Sequence, residues 1–147
     1  MRNSEGYSDP TMCEAINNVA REEKAVKKKA REQKIVYVCS PFSDDIQGNT
    51  EKARKYCRFA VDKGCVPIAP HILFTQFMSE ETERDRAMEM NTALLYRCDE
   101  VWVFGGRITR GMKAEISKGN LMGKRIRYFK TEESHENKDS GMYEENQ

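Results

Sequence analysis

The stretch DEVWVFGGRITRGMKAEISKG, residues 99–119, decides the fold class. Val101, Trp102, Val103 and Phe104 form a β-branched and aromatic run that ends at the pair Gly105-Gly106, the composition of a buried strand meeting a sharp turn. Beyond the basic loop, Met112, Ile116, Gly119 and Met122 recur at helical spacing, which predicts a helix over residues 110–122. A strand, a glycine-flanked loop and a helix in this order are one half of a crossover between parallel strands.

The same alternation extends to both sides. KIVYVCS, residues 34–40, is a short apolar strand that stops at Ser40-Pro41. After the polar loop FSDDIQGN, small or apolar residues at Ala53, Tyr56, Cys57, Ala60 and Val61 mark a helix capped by Asn49 or Thr50 and ended at Gly64. CVPIAP, residues 65–70, is a second short strand, and Pro67 places it at an edge. HILFTQFM, residues 71–78, is apolar without a clean period, and residues 83–97 read as a helix with Ala87, Asn91, Leu94 and Leu95 on one face. After Gly123, RIRYF is a fourth strand. This predicts an α/β domain, a small Rossmann-like or flavodoxin-like parallel sheet flanked by helices, over residues 34–130.

The ends differ in composition. Residues 1–33 form a charged extension, helical or disordered, in which AREEKAVKKKAREQK lacks a continuous apolar face. Residues 131–147 read as a disordered tail. A formal charge of +1 on 147 residues supplies no global field for nucleic acid or an anionic membrane. No run is apolar and long enough for a signal peptide or a membrane span, so the expectation is a cytoplasmic protein. The five cysteines form no C-x-x-C pair, and His71 and His135 are the only histidines. That pattern predicts free thiols in a reducing compartment, and neither a bound metal nor a cofactor.

In parallel sheets ligands bind beyond the carboxyl ends of the strands, here the loops that begin at Ser40, Pro70 and Gly105. The loop from Gly105 through Arg107, Thr109 and Arg110 to Gly111 opens a helix, and can either hold an anion or make an ordinary tight turn with solvated arginines. Glu115 lies on the inward stripe of that helix. It is a candidate nucleophile toward an anomeric carbon, or only a glutamate favoured in a first turn. Asn91 interrupts the preceding helix's stripe, as a pocket amide or a partner for buried backbone. Ser40, Asp44 and Asp45 follow the first strand, with Asp44 a sugar or phosphate ligand or a solvated turn residue. His71 could meet a base or phosphate. Tyr37 and Trp102 read as core, while Phe42 stands where an aromatic ring can stack on a base.

VYVCSPF after the first strand, RCDEVWVF, and TRGMKAE before a glycine together resemble the nucleoside 2-deoxyribosyltransferase superfamily, most closely its uncharacterised branch of small phage and bacterial domains of unknown function. The resemblance implies a homo-oligomer that binds a small nucleoside or nucleotide and cleaves the N-glycosidic bond through a glutamate nucleophile. Glu115 matches that glutamate and Gly111 the glycine before it. A second base takes the sugar in the transferases, and water does so in related monophosphate N-glycosidases. Asn91 stands where the transferases carry an aspartate, and Thr109 where they carry an acid and the glycosidases a phosphate-binding hydroxyl. Thr109 with Arg107 or Arg110 therefore points to a 5′-phosphorylated ligand, with Ser40, Phe42 and Gly105 on its other sides. The alternative expectation, raised by Asn91, is a non-catalytic protein that binds or sequesters nucleotides.

Overall fold

Val36, Tyr37, Val38 and Cys39 are all completely buried, because the strand they form is covered on both faces. In the computed structural model this strand, β1 (Ile35–Cys39), lies at the heart of a five-stranded sheet. The structure describes residues 10–131 and 141–145. Two units are distinguished, residues 1–33 and 34–147. In the first, α1 (Pro10–Glu32) is a helix with no buried residue, stapled along its surface by pairs such as Lys27 with Glu23 at 2.7 Å.

The second unit continues from β1 through α2 (Ile46–Asp62), β2 (Val66–Ile68), the short α3 (Pro70–Leu73), a 3₁₀ turn at Phe74–Gln76, α4 (Arg84–Arg97), β3 (Glu100–Val103), α5 (Arg110–Leu121), β4 (Arg125–Thr131) and β5 (Met142–Glu145). The strand order is β2-β1-β3-β4-β5. The first four are parallel and β5 is antiparallel to β4. The expected α/β class with a parallel sheet between helices is thus present, and β2 with Pro67 is an edge. The chain leaves β1 for β2 on one side and resumes at β3 on the other, so the crevice above β1 and β3 is the switch point where open sheets bind ligands.

Alternation along the strands sorts the core into two layers. Val36, Val38, Trp102 and Phe104 face α2, where they meet Ala53, Tyr56 and Ala60. Tyr37, Cys39, Val101 and Val103 face α4 and α5, where they meet Leu95, Cys98, Met112 and Ile116. A Cβ on Gly119 would lie 3.0 Å from Ile126 Cδ1 and 3.2 Å from Val101 Cγ2, so glycine lets α5 approach the sheet.

Three expectations are revised. Helix α2 begins three residues before the expected cap, because Asp45 caps it by accepting a hydrogen bond from Gly48 N at 3.2 Å. HILFTQFM, aperiodic in sequence, folds as the short helix and 3₁₀ turn around buried Pro70 and Phe74. Part of the tail expected to lack structure is ordered, since Met142–Glu145 pairs with β4. There Arg127 Nε reaches Glu144 Oε1 at 2.9 Å, and Met142 packs against the α2-side core. Residues 132–140 lie outside the described residues.

Candidate active site

A cavity of about 680 Å³ opens where the carboxyl ends of β1 and β2 meet α4 and the start of α5, a volume in the usual range for small-molecule sites. Ser40, Phe42, His71, Asn91, Thr109, Arg110, Gly111 and Glu115, all singled out in the sequence, line it. Periodicity explains the convergence: Arg84, Met88, Asn91 and Leu95 fall on one face of α4, while Met112, Glu115 and Lys118 fall on one face of α5.

Glu115 is only partly exposed. Burial pushes its carboxyl pKa up to about 7, and the nearby polar hydrogens of Cys39 and Tyr37 and the Lys118 ammonium offset part of that rise. The influence is mutual. Burial first, then the charge on Glu115, raises both the Tyr37 phenol and the Cys39 thiol well above their ordinary values. Tyr37 Oη is buried without a partner in bonding geometry among the described residues, so it is held close to the carboxylate yet uncommitted. Cys39 Sγ lies 3.9 Å from Met112 O, one helical turn before Glu115. Period-two alternation along β1 puts Tyr37 and Cys39 on the face that α5 covers, a signal already present in the sequence that the core assignment of Tyr37 passed over.

On the β1 side of the cavity, Ser40 Oγ and His71 Nε2 are 3.0 Å apart, and the Phe42 ring tilts against the imidazole with centroids separated by 5.5 Å. Burial lowers the His71 pKa to about 4, so the ring is neutral at physiological pH and offers one donor and one acceptor. At the other end, Thr109 caps α5 by accepting from Met112 N at 3.3 Å. Its hydroxyl proton remains available to an anion beside the first backbone N–H groups of the helix and Arg110. Arg84, Arg110 and Lys118 all line the cavity, and none makes an ion pair among the described residues. Asn91 Oδ1 is buried without a hydrogen-bond partner among the described residues.

Asp44, Gly105 and Arg107 do not line this cavity. Asp44 pairs with Arg107, whose guanidinium holds the carboxyl below its ordinary range. Asn49 Nδ2 donates to Asp44 Oδ1 at 2.8 Å and to Phe42 O at 3.0 Å. Gly105, at φ +105°, lets its loop pass so near Pro41 that a Cβ would lie 2.8 Å from the ring. These residues tie the loops after β1 and β3 together, and their geometry accounts for them without a ligand. Arg84, Thr92 and Lys118 belong to the cavity but were not singled out in the sequence, although Lys118 stands one helical turn after Glu115.

Fold and cavity together define a small, mostly parallel α/β domain with a cavity of small-molecule size at the switch point of its sheet. The chain belongs to the family described as a domain of unknown function, DUF7768, whose model matches residues 34–129. No curated protein matches it. Among solved structures, the 2-deoxyribosyltransferase from the psychrotolerant bacterium Bacillus psychrosaccharolyticus is similar with a TM-score of 0.54 at 18% identity, over 70% of this chain and 77% of that one. At this identity the likeness is one of fold.

Proposed function

We propose that the domain cleaves or transfers the N-glycosidic bond of a nucleoside or nucleotide, with Glu115 as the nucleophile. The observation that carries this reading is the placement of Glu115: a carboxylate on an inward helix face, in a cavity of suitable size, with its pKa raised to about 7. Near neutral pH about half of such a group is ionised and competent to attack. A Glu115 oxygen attacks C1′, the bond to the base nitrogen breaks with its electron pair leaving on the base, and a glycosyl ester forms. Water or a second base then takes the sugar and frees the carboxylate.

The start of α5 supports a 5′-phosphoryl group on the ligand. Arg110 precedes Glu115 by five residues, about 7.5 Å along a helix, comparable to the reach from an anomeric carbon to a 5′ substituent. Thr109, Arg110 and the Gly111 N–H stand together there. Ser40, His71 and Phe42 supply hydrogen bonds and a ring face on the opposite side. The likeness of fold to a 2-deoxyribosyltransferase agrees with this reading.

Incubation with a panel of nucleosides and 5′-monophosphates, followed by chromatography of free base, tests the proposal. Release that disappears in Glu115→Ala is the expected result, and turnover retained in that variant refutes the nucleophile. A second reading, a protein that sequesters nucleotides, draws on Asn91, an amide that cannot protonate a leaving base. Nucleotide binding without release of base from any substrate would favour it.

A further inference from the structure

The glutamate chemistry leaves two cavity cations, Arg84 and Lys118, unused, and Lys118 is the one on the helix of Glu115. Lys118 stands on α5 one turn beyond Glu115, on the same cavity wall and partly buried. Its Nζ donates to Thr92 Oγ1 at 3.1 Å across the gap between α5 and α4. Thr92 in turn donates to Met88 O at 2.9 Å, so its hydroxyl is oriented as an acceptor for the lysine. No carboxylate pairs with Lys118 among the described residues. The neighbouring Asn91 has a buried Oδ1 with no partner among the described residues.

Along α5 the order is Arg110, Glu115, Lys118, so the carboxylate stands between two cationic groups. With an anomeric carbon at Glu115 and a 5′-phosphoryl group toward Arg110, a base leaving from the face of C1′ opposite Glu115 points to the α4 wall, where the Lys118 ammonium is held against Thr92 beside Asn91. A base that departs carries the electron pair of the broken bond and needs a proton or a cation. Asn91 supplies neither.

We infer that Lys118 is the catalytic acid for the leaving base, positioned by its hydrogen bond to Thr92. This rests on Glu115 acting as the nucleophile. As Glu115 bonds to C1′ and the C1′–N bond breaks, the Lys118 ammonium passes a proton to the base and becomes an amine. In the second step the amine accepts a proton from the water, or from the N–H of the second base, that attacks C1′. The carboxylate and the ammonium are both restored, so no further reactant is required.

The test compares release from purine nucleosides and 5′-monophosphates with release from their N7-methylated counterparts, whose base leaves as a neutral molecule and needs no proton. Lys118→Met should slow release from the unmethylated substrates by about 100-fold or more, yet leave the methylated ones nearly unchanged, which also shows the variant to be folded. Lys118→Arg should fall between, since a guanidinium neutralises charge but does not give up its proton. Equal losses on both substrate sets, or no loss on either, would overturn the role of the lysine alone, provided that release depends on Glu115. If Glu115→Gln cleaves like the wild type, or the wild type releases base from neither set, the nucleophile reading falls and this one with it.

Discussion

Glu115 is held where its ionised form is disfavoured, and that has a consequence for stability as well as for chemistry. Its carboxyl titrates near 7 in the folded protein, against an ordinary value of 4.5. Between these pH values the native state binds a proton that the unfolded state has released, so this residue lowers stability as pH rises through that window. The penalty is small at pH 4 and complete above pH 8, where it reaches on the order of 3–4 kcal/mol. Glu115→Gln should therefore raise the urea midpoint at pH 8 and change it little at pH 4. A gain independent of pH would show that the carboxyl is not under this strain. In catalysis the sign reverses: kcat/KM should rise through about pH 7 as the nucleophile ionises. The inward orientation of Glu115 was legible from its stripe with Met112 and Ile116. That Tyr37 and Cys39 share one face was legible too from the alternation along β1, but that α5 covers that face and brings Glu115 beside them was not, since it depends on which strand α5 packs across.

The elements that carry the site are set by two loops, after β1 and after β3, and their spacing depends on Gly105. That residue has φ +105°, and a Cβ would stand 2.8 Å from Pro41 Cδ. Gly105→Ala should cost on the order of 1–3 kcal/mol in chemical unfolding from backbone strain and the clash with a rigid ring. Because the same loop leads into Thr109 and Arg110, ligand affinity should fall with it. An alanine variant with wild-type stability and affinity would show that the close approach is unimportant. Strand and helix identities were legible here because apolar runs and 3.6-residue stripes are local signals, as at residues 101–104 and 112–119. Asp45 as the cap of α2 was missed because a stronger apolar stripe began several residues later. HILFTQFM gave no period because its fold comes from Pro70 and Phe74 docking on the core. Gly105 and Arg107 were read as ligand contacts because a glycine-flanked basic loop at a strand end has the same sequence whether it grips an anion or a neighbouring loop.

At the scale of the whole molecule, residues 34–147 carry their own stabilising elements on both faces of the sheet. One layer is aromatic: Tyr56 stacks on Phe104 with centroids 4.5 Å apart, and Phe104 stacks on Phe129 at 5.1 Å. The strands are also tied together at Glu100, whose buried carboxylate meets Lys34 at 2.9 Å, Trp102 Nε1 at 3.2 Å and Arg127 at 3.3 Å. Burial alone would raise the Glu100 pKa, but these donors outweigh it and hold the group below its ordinary value. Arg127 extends the network to Glu144 and so to β5, the strand that composition had concealed in an acidic tail. Helix α1, by contrast, contributes no buried residue. Chain 34–147 without residues 1–33 should therefore fold cooperatively, with a urea midpoint close to that of the full chain and the same Glu115-dependent activity. A drop of more than about 1 kcal/mol in unfolding free energy, well beyond the usual effect of removing exposed residues, would show that the first unit stabilises the second. Glu100→Ala in the shorter chain sharpens the comparison. Removing that carboxylate takes a shared acceptor from Lys34, Trp102 Nε1 and Arg127, while Lys34 stays half exposed and Arg127 keeps Glu144, and should cost about 1–3 kcal/mol, the same in the shorter chain as in the full one if residues 1–33 contribute nothing.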